Sequence, residues 1–375
     1  ARPGSNYPRR GTPPLRSGRL LAAALCVVVA GTACSNGKKP FSELPADDLT
    51  PTIPATTTTS ASSASPLTGA LVSPAVARRP AVIVKVDNAP DARPQAGLND
   101  ADVIYEERVE GSVVRFLAIF QSKEAAVVGP VRSVRSTDAP IVAPIGGVFA
   151  FSGGIAPFRN KVDATGIKTV PESDNPKVGN YKRAGHVRPY ATYANTAKLR
   201  ALVPNAVAPP QLFPRIRPGT SFGEANLGAE VATGLRVVFG QLTTADWTWD
   251  RVKKQWLRTT NGTQHLLEDK SRLSSGCVIL QSVPYRATQY TDRSDFVVDE
   301  AVITGTGKAL VACDGAVVKA RWSKPTQKSV TTFVNNATGG PITLPVGRVW
   351  VSLVPTSGEI TVKSPTASTT TIGKQ

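Results

Sequence analysis

Lys85, Asp87, Asn88, Arg93, Glu106, Glu107, Glu110, Arg132, Arg135 and Asp138 all fall within residues 81–138, set between short apolar runs that read as strands. Arg132 and Arg135, three apart beside a Gly-Pro turn and just before a helix start, suit a bidentate grip on a phosphate or carboxylate. Lys85 and Arg93 can join them. Asp87, Glu106, Glu107 and Glu110 have the chemistry to bind a metal or to act as acid and base. The competing reading is a structural network in which these carboxylates neutralise the arginines, since ion-pair clusters arise in both settings. Ser152, followed by Gly153 and Gly154, offers backbone N–H groups to an anion, and His186 in YKRAGHVRPY is placed to complete the site. The chain has only 2 histidines, which disfavours a histidine zinc centre, so neither metal nor cofactor is expected. An HExxH motif is absent, and Gly305-Thr306-Gly307-Lys308 lacks the spacing of a P-loop.

The elements that must position these residues are strands with short helices between them. AVIVKV (81–86), DVIYEERV (102–109) and VVRFLAIF (113–120) read as strands, the last two joined tightly enough for a hairpin. Asp138 with Pro140 predicts a helix start, and Pro144 should keep that helix short. GGVFAFSGG (146–154) is a further strand, PFRNKVDATG a short helix ended by Gly166, and TYANTAKLRALVP (192–204) a helix starting at Asn195 or Thr196. Beyond Val231 short apolar runs recur between turn residues, with Asp314-Gly315 as a hairpin turn. The fold class expected is mixed α+β, with an N-terminal α/β domain on a mixed sheet over 79–210, a linker over 211–230 and a β-rich C-terminal domain over 231–356. A Thr- and Ser-rich tail, 357–375, is expected to be disordered. Trp247, Trp249, Trp256, Trp322 and Trp350 all fall in the β-rich half, where core packing is favoured over a sugar-stacking platform.

Charge and leader set the compartment. The sequence carries +17, and Arg2, Arg9, Arg10, Arg16 and Arg19 precede an apolar run, Leu20 to Ala33, that is shorter than the ~20 residues of a membrane helix. Residues 1–33 read as a signal peptide and GTAC (31–34) as a lipobox-like end, although Gly31 stands where an aliphatic residue is usual. Cys34 would then be acylated, with palmitate-class chains, and would head a disordered Thr/Ser/Pro tether over 34–78. An ordinary secretion signal is the alternative. Loss of residues 1–33 removes five Arg and no acid, so +17 becomes +12. On the extracytoplasmic face of the cell membrane, anionic envelope polymers or an envelope protein are the expected partners, and nucleic acid is not. A solvated basic surface without a ligand is the plainer alternative. Cys26 lies in the leader, which leaves Cys277 and Cys313, in strand-like runs, as a candidate disulfide.

Several blocks resemble the YerB-like bacterial lipoproteins, a two-domain family of unassigned function: Val86-Asp87-Asn88, ARPQAGLNDADVIYEERVEG (92–111), RFLAIFQS (115–122), GPVRSVRSTD (129–138), FAFSGG (149–154) and, later, Gly347-Arg348-Val349-Trp350 before Leu353-Val354-Pro355. The resemblance implies a lipid-anchored envelope protein with an α/β domain followed by a β-rich one, and supplies no reaction. From layout alone, the strands before the arginine pair are loosely similar to the LytR-CpsA-Psr phosphotransferases. SSGCVIL (274–280) resembles the L,D-transpeptidase cysteine motif but has Ser275 where that family carries His. The function expected is binding of an anionic envelope ligand or partner protein by the N-terminal domain; the alternative is an enzyme acting on a wall glycopolymer or its phosphate linkage.

Overall fold

β1 (Val82–Asp87), β2 (Val103–Arg108) and β3 (Val114–Phe120) form the centre of the molecule, and all three are buried from end to end apart from Arg108 at the edge. The coordinates are those of a computed structural model, which describes residues 61–292 and 295–365, together with the backbone of 369–372. β3 lies antiparallel between β1 and β2, with Asp87 and Glu107 both opposite Arg115. Beyond β1 the sheet continues through β4 (Val148–Phe151) and β5 (Lys168–Pro171), both parallel.

The sheet also runs the other way, into the C-terminal half. We label there β6 (Gly234–Val238), β7 (Thr244–Asp250), β8 (Gln255–Thr260), β9 (Cys277–Val283), β10 (Gly305–Cys313), β11 (Ala316–Lys324), β12 (Val349–Pro355) and β13 (Glu359–Lys363). β12 pairs parallel with β2 on one side and with β9 on the other. β10 and β11 follow as a hairpin turning at Asp314-Gly315, so one 11-stranded mixed sheet draws on both halves of the sequence. β6, β7, β8 and β13 belong to a second sheet, of 7 strands.

Alternation along β1, β2 and β3 divides the core in two. Ile83, Tyr105 and Leu117 face one layer with α1 (Asp138–Val142) and α2 (Ala156–Asp163), which contribute Ile141, Val142, Phe158 and Val162. Val84, Ile104 and Phe116 face the second sheet, together with Trp247, Trp256 and Trp350. Those three tryptophans and Trp322 are at most 1% exposed, which fixes their role as core packing.

The architecture is strand-rich, and its helices are short. The helix of TYANTAKLRALVP starts where the sequence places it, with Asn195 as the cap and its side chain accepting from Lys198 N, but α3 (Thr196–Arg200) stops short of 204, and Thr192–Ala194 ahead of it is a strand paired to Asn180–Lys182. Residues 61–78, expected as tether, pack instead. Ser63–Ala64 pairs with Leu71–Val72, Pro74–Arg78 is helical, and Leu67 is fully buried, enough apolar contact to order the segment. Residues 211–230 are anchored by buried Leu212, Phe213 and Phe222. The stretch after 357, expected as disordered, begins with β13, whose EITVK sequence pairs antiparallel with β6. The predicted signal, Cys34 and residues 34–60 lie outside the described residues. Among the described residues no helix is long and apolar enough to cross a membrane.

Candidate functional site

Glu106 and Glu107 are consecutive in β2, so their side chains leave opposite faces of the sheet. The charges of 81–138 therefore make two networks. On the helix-facing side, Lys85 bonds Glu107 and, at 2.7 Å, Asp138 Oδ1, and all three side chains are fully buried. Asp138 Oδ2 accepts from Arg135 N at 2.7 Å, so this carboxylate closes the turn before α1. Desolvation pushes the Glu107 carboxyl up to about 7, with Lys85 opposing the shift and Asp138 adding to it.

Arg135 and Arg115 converge on Glu110 at the end of the β2–β3 hairpin. Arg135 Nε donates to Glu110 Oε2 at 2.7 Å and Arg115 Nη2 to Oε1 at 2.9 Å. Burial acts to raise the Glu110 pKa, but the Arg135 hydrogen bond and both guanidinium charges outweigh it and hold the group at about 2. Arg135 spends its remaining reach on the Val134 carbonyl, 2.9 Å away. It therefore does not join Arg132 in a bidentate grip. Arg132 instead pairs with Asp87, Nε to Oδ2 at 2.7 Å, and lies under the Tyr190 ring, 5.9 Å from its centroid. Its side chain is 26% exposed, whereas Lys85, Glu107 and Asp138 are at 0%.

The second network faces the smaller sheet. Arg258 is fully buried and grips Glu106 with both Nη groups, at 3.2 and 2.5 Å. The carboxylate also accepts from Trp350 Nε1 at 2.9 Å and Ser352 Oγ at 2.7 Å. Phe116, Trp247 and Trp350 enclose the guanidinium with ring centroids at 5.6, 5.2 and 4.8 Å, a desolvated cation–π box. A chain of neutral groups extends from it. Arg258 Nε donates to Thr260 Oγ1, which meets His265 Nδ1 at 2.8 Å, and His265 Nε2 faces Gln95 Oε1 at 2.8 Å. Gln95 Nε2 then donates to Asn88 Oδ1 and to the Asp87 carbonyl. Burial, reinforced by Arg258, Arg93 and Arg272, drives the His265 pKa well down and favours the neutral imidazole, whose Nε2–H then donates to Gln95 Oε1 while Nδ1 accepts from Thr260 Oγ1.

The remaining candidates are placed elsewhere. Arg93 is half-buried with Nε unbonded, its pKa lowered by desolvation and then by Arg258, so it belongs beside the second network. The Ser152 N–H is taken by the Arg132 carbonyl at 3.0 Å and the Gly153 carbonyl by Val134 N, so this turn braces residues 132–134 instead of presenting Ser152 N–H to an anion. His186 sits against Tyr193, 3.3 Å from its hydroxyl, apart from the Asp87 group. Cys277 and Cys313 face each other across β9 and β10, with Cα atoms 4.5 Å apart, and are bonded, which removes the thiolate that a transpeptidase-like reaction needs. No group of three or more potential metal-ligating residues occurs among the described residues.

Sequence reading missed Arg258, Ser352 and Trp350 as partners of Glu106, and Thr260, His265 and Gln95 as the hydrogen-bond chain beyond Arg258. The signal for Arg258 was present in QWLRTT, where a lone arginine shares its face with Trp256 and Thr260. The signal for separating Glu106 from Glu107 was the two-residue period itself. Two of the surface clefts have charged linings. One of about 540 Å³ is bordered by Ser136, whose buried Oγ has no partner, and by Lys161, Arg286 and Glu300. The other, about 430 Å³, lies in the C-terminal half.

Comparison with known proteins follows this architecture. Residues 67–208 match the "Protein of unknown function (DUF3048) N-terminal domain" and residues 235–351 the corresponding C-terminal domain. A stretch of 112 residues is 39% identical to "Putative lipoprotein YerB" of Bacillus subtilis (strain 168), covering 27% of this chain and 34% of that protein, about a third of its length. The crystal structure of the YerB protein from Bacillus subtilis superimposes with a TM-score of 0.65 at 21% identity, over 79% of this chain and 98% of that one, a likeness of fold.

Proposed function

The chain belongs to the DUF3048 family, carrying both of its domains, and from that premise we propose that it is a lipid-anchored envelope protein that binds an anionic ligand. Anchoring through Cys34 on the extracytoplasmic face accords with the leader and with the lipoprotein name of the Bacillus subtilis relative. The observation that carries the binding reading is the contrast within residues 81–138. Lys85, Glu106, Glu107, Glu110, Arg135 and Asp138 are consumed by internal pairs, while Arg132 is held by Asp87 with its side chain 26% exposed. A cation fixed on a rigid, buried network is pre-organised for a phosphate or carboxylate. The enzymatic alternative draws less from the geometry, because Arg132 pairs with Asp87 while Arg135 pairs with Glu110, so the two arginines do not converge with an acid on one centre.

Cosedimentation of the full chain with poly(glycerol phosphate), against neutral dextran, tests the proposal. Binding should favour the anionic polymer, fade in salt of about 0.5 M, and weaken on the order of tenfold in Arg132→Ala, as for loss of a charge-assisted hydrogen bond. Equal retention of dextran, or no effect of Arg132→Ala, would overturn it. Cys34→Ala should release the protein from membranes; continued retention would remove the anchor from the proposal.

A further inference from the structure

The cleft of about 430 Å³ in the C-terminal half is lined by Arg217, Lys253, Lys254 and Arg348 against a single acid, Asp314. Its volume is that of a small-molecule site. Arg348 is fixed at its floor by neutral groups only: Nη1 bonds the Asn99 carbonyl at 2.6 Å and Asn99 Oδ1 at 3.0 Å, and Nη2 bonds Ser274 Oγ at 3.0 Å. Among the described residues no carboxylate pairs with Arg348, Arg217 or Lys254, and Lys253 reaches Asp250 only at 4.0 Å. Asp100 and Asp102 act on Arg348 through space, but among the described residues no carboxylate lies within ion-pair distance of Arg217 or Lys254, so their charge faces the cleft uncompensated at contact range. Gln255 also lines it, and its Oε1 is buried without a hydrogen-bond partner. An amide oxygen accepts only, so it asks for a donor, which a bare phosphate dianion does not supply.

We propose that this cleft binds a small phosphate ester carrying hydroxyl groups, a sugar phosphate or polyol phosphate, with the phosphate among the four cations and a hydroxyl donating to Gln255 Oε1. The site is separate from Arg132 and stands without it. Both demands of the lining are met by one ligand class: anion for Arg217, Lys253, Lys254 and Arg348, donor for Gln255.

Isothermal titration of the full chain with glycerol 3-phosphate, inorganic phosphate and glycerol tests this. Glycerol 3-phosphate should bind saturably, tighter than inorganic phosphate by roughly tenfold for one added hydrogen bond in a desolvated site, and glycerol should not bind. Arg217→Glu with Lys254→Glu, both at exposed positions, should leave the melting temperature unchanged and cut affinity at least about tenfold. Gln255→Leu should erase the preference over inorganic phosphate while keeping phosphate binding. Arg132→Ala should change nothing here, which separates this site from the polymer-binding reading. Absence of saturable binding, or full affinity in the charge-reversed variant, overturns the proposal; equal affinity for inorganic phosphate and glycerol 3-phosphate overturns the assignment of Gln255.

Discussion

Glu106 and Glu107 differ by one position and by everything that surrounds them. Glu106 has Arg258, Trp350 and Ser352 as partners and is saturated with hydrogen bonds. Removing one member of such a pair leaves the other charge buried, so Glu106→Gln or Arg258→Met should each cost about 3–5 kcal/mol, while the double variant Glu106→Leu with Arg258→Met should cost less than either; urea unfolding of the three variants checks the order. Glu107 titrates in the opposite sense to Glu110. Its native pKa is raised from 4.5 to about 7, so the folded state holds that proton more firmly than the unfolded one, and its contribution to stability declines as pH rises through that window. Glu107→Gln should flatten the fall in melting temperature between pH 5 and 7. Glu110, lowered from 4.5 to about 2, gives stability that is present above 4.5 and lost as pH falls towards 2. That contribution is about 3 kcal/mol, and Glu110→Gln should lack it at neutral pH. The residue types of this region were legible in the sequence. Their partners were not, because Arg258 is 152 positions from Glu106 and no local pattern encodes that distance.

At the scale of elements, strands were read well where a period of two or a continuous apolar run was bounded by turn residues. β1, β2, β3, β4 and the Asp314-Gly315 hairpin all follow from that signal. One helix was read too long at its C-terminal end, since α3 begins after the Asn195 cap as expected but stops at Arg200, where the sequence reading carries it to 204. The ordered segments at 61–78 and 359–363 were hidden by composition, because a single Leu67 or one short alternating run carries little weight in a Thr- and Ser-rich window. The β9–β10 pairing is cross-linked by a bond closing 36 residues. On a chain-entropy basis Cys277→Ser with Cys313→Ser should cost about 4 kcal/mol, and calorimetry of the oxidised wild type against the double variant measures it. The reduced and oxidised wild type should differ by a similar amount.

For the whole molecule, the family boundary between residues 208 and 235 divides the sequence, yet β12, from the far side of it, lies between β2 and β9. The two-part division legible in composition is therefore one of sequence, and the sheet crosses it. Only strand pairing across more than 240 positions reveals this, which a reading by local windows does not reach. Expressed alone, residues 61–210 present β2 as an open, apolar edge and should aggregate; coexpression with 211–375 should restore a soluble complex, and size-exclusion chromatography distinguishes the two. A monomeric, soluble fragment would mean that β2 tolerates the loss of its neighbour.

The place of β12 also sets a schedule. Trp350 meets Glu106 across 244 positions, so a chain made or threaded from its N-terminus must add all of that intervening length before the central strand can arrive. Until then β2 keeps an open edge and Glu106 lacks Trp350 and Ser352, which favours a nascent chain that stays loose. Under the export proposed above, late arrival of the keystone strand would defer closure of the sheet until residues 349–355 have followed the N-terminal strands across.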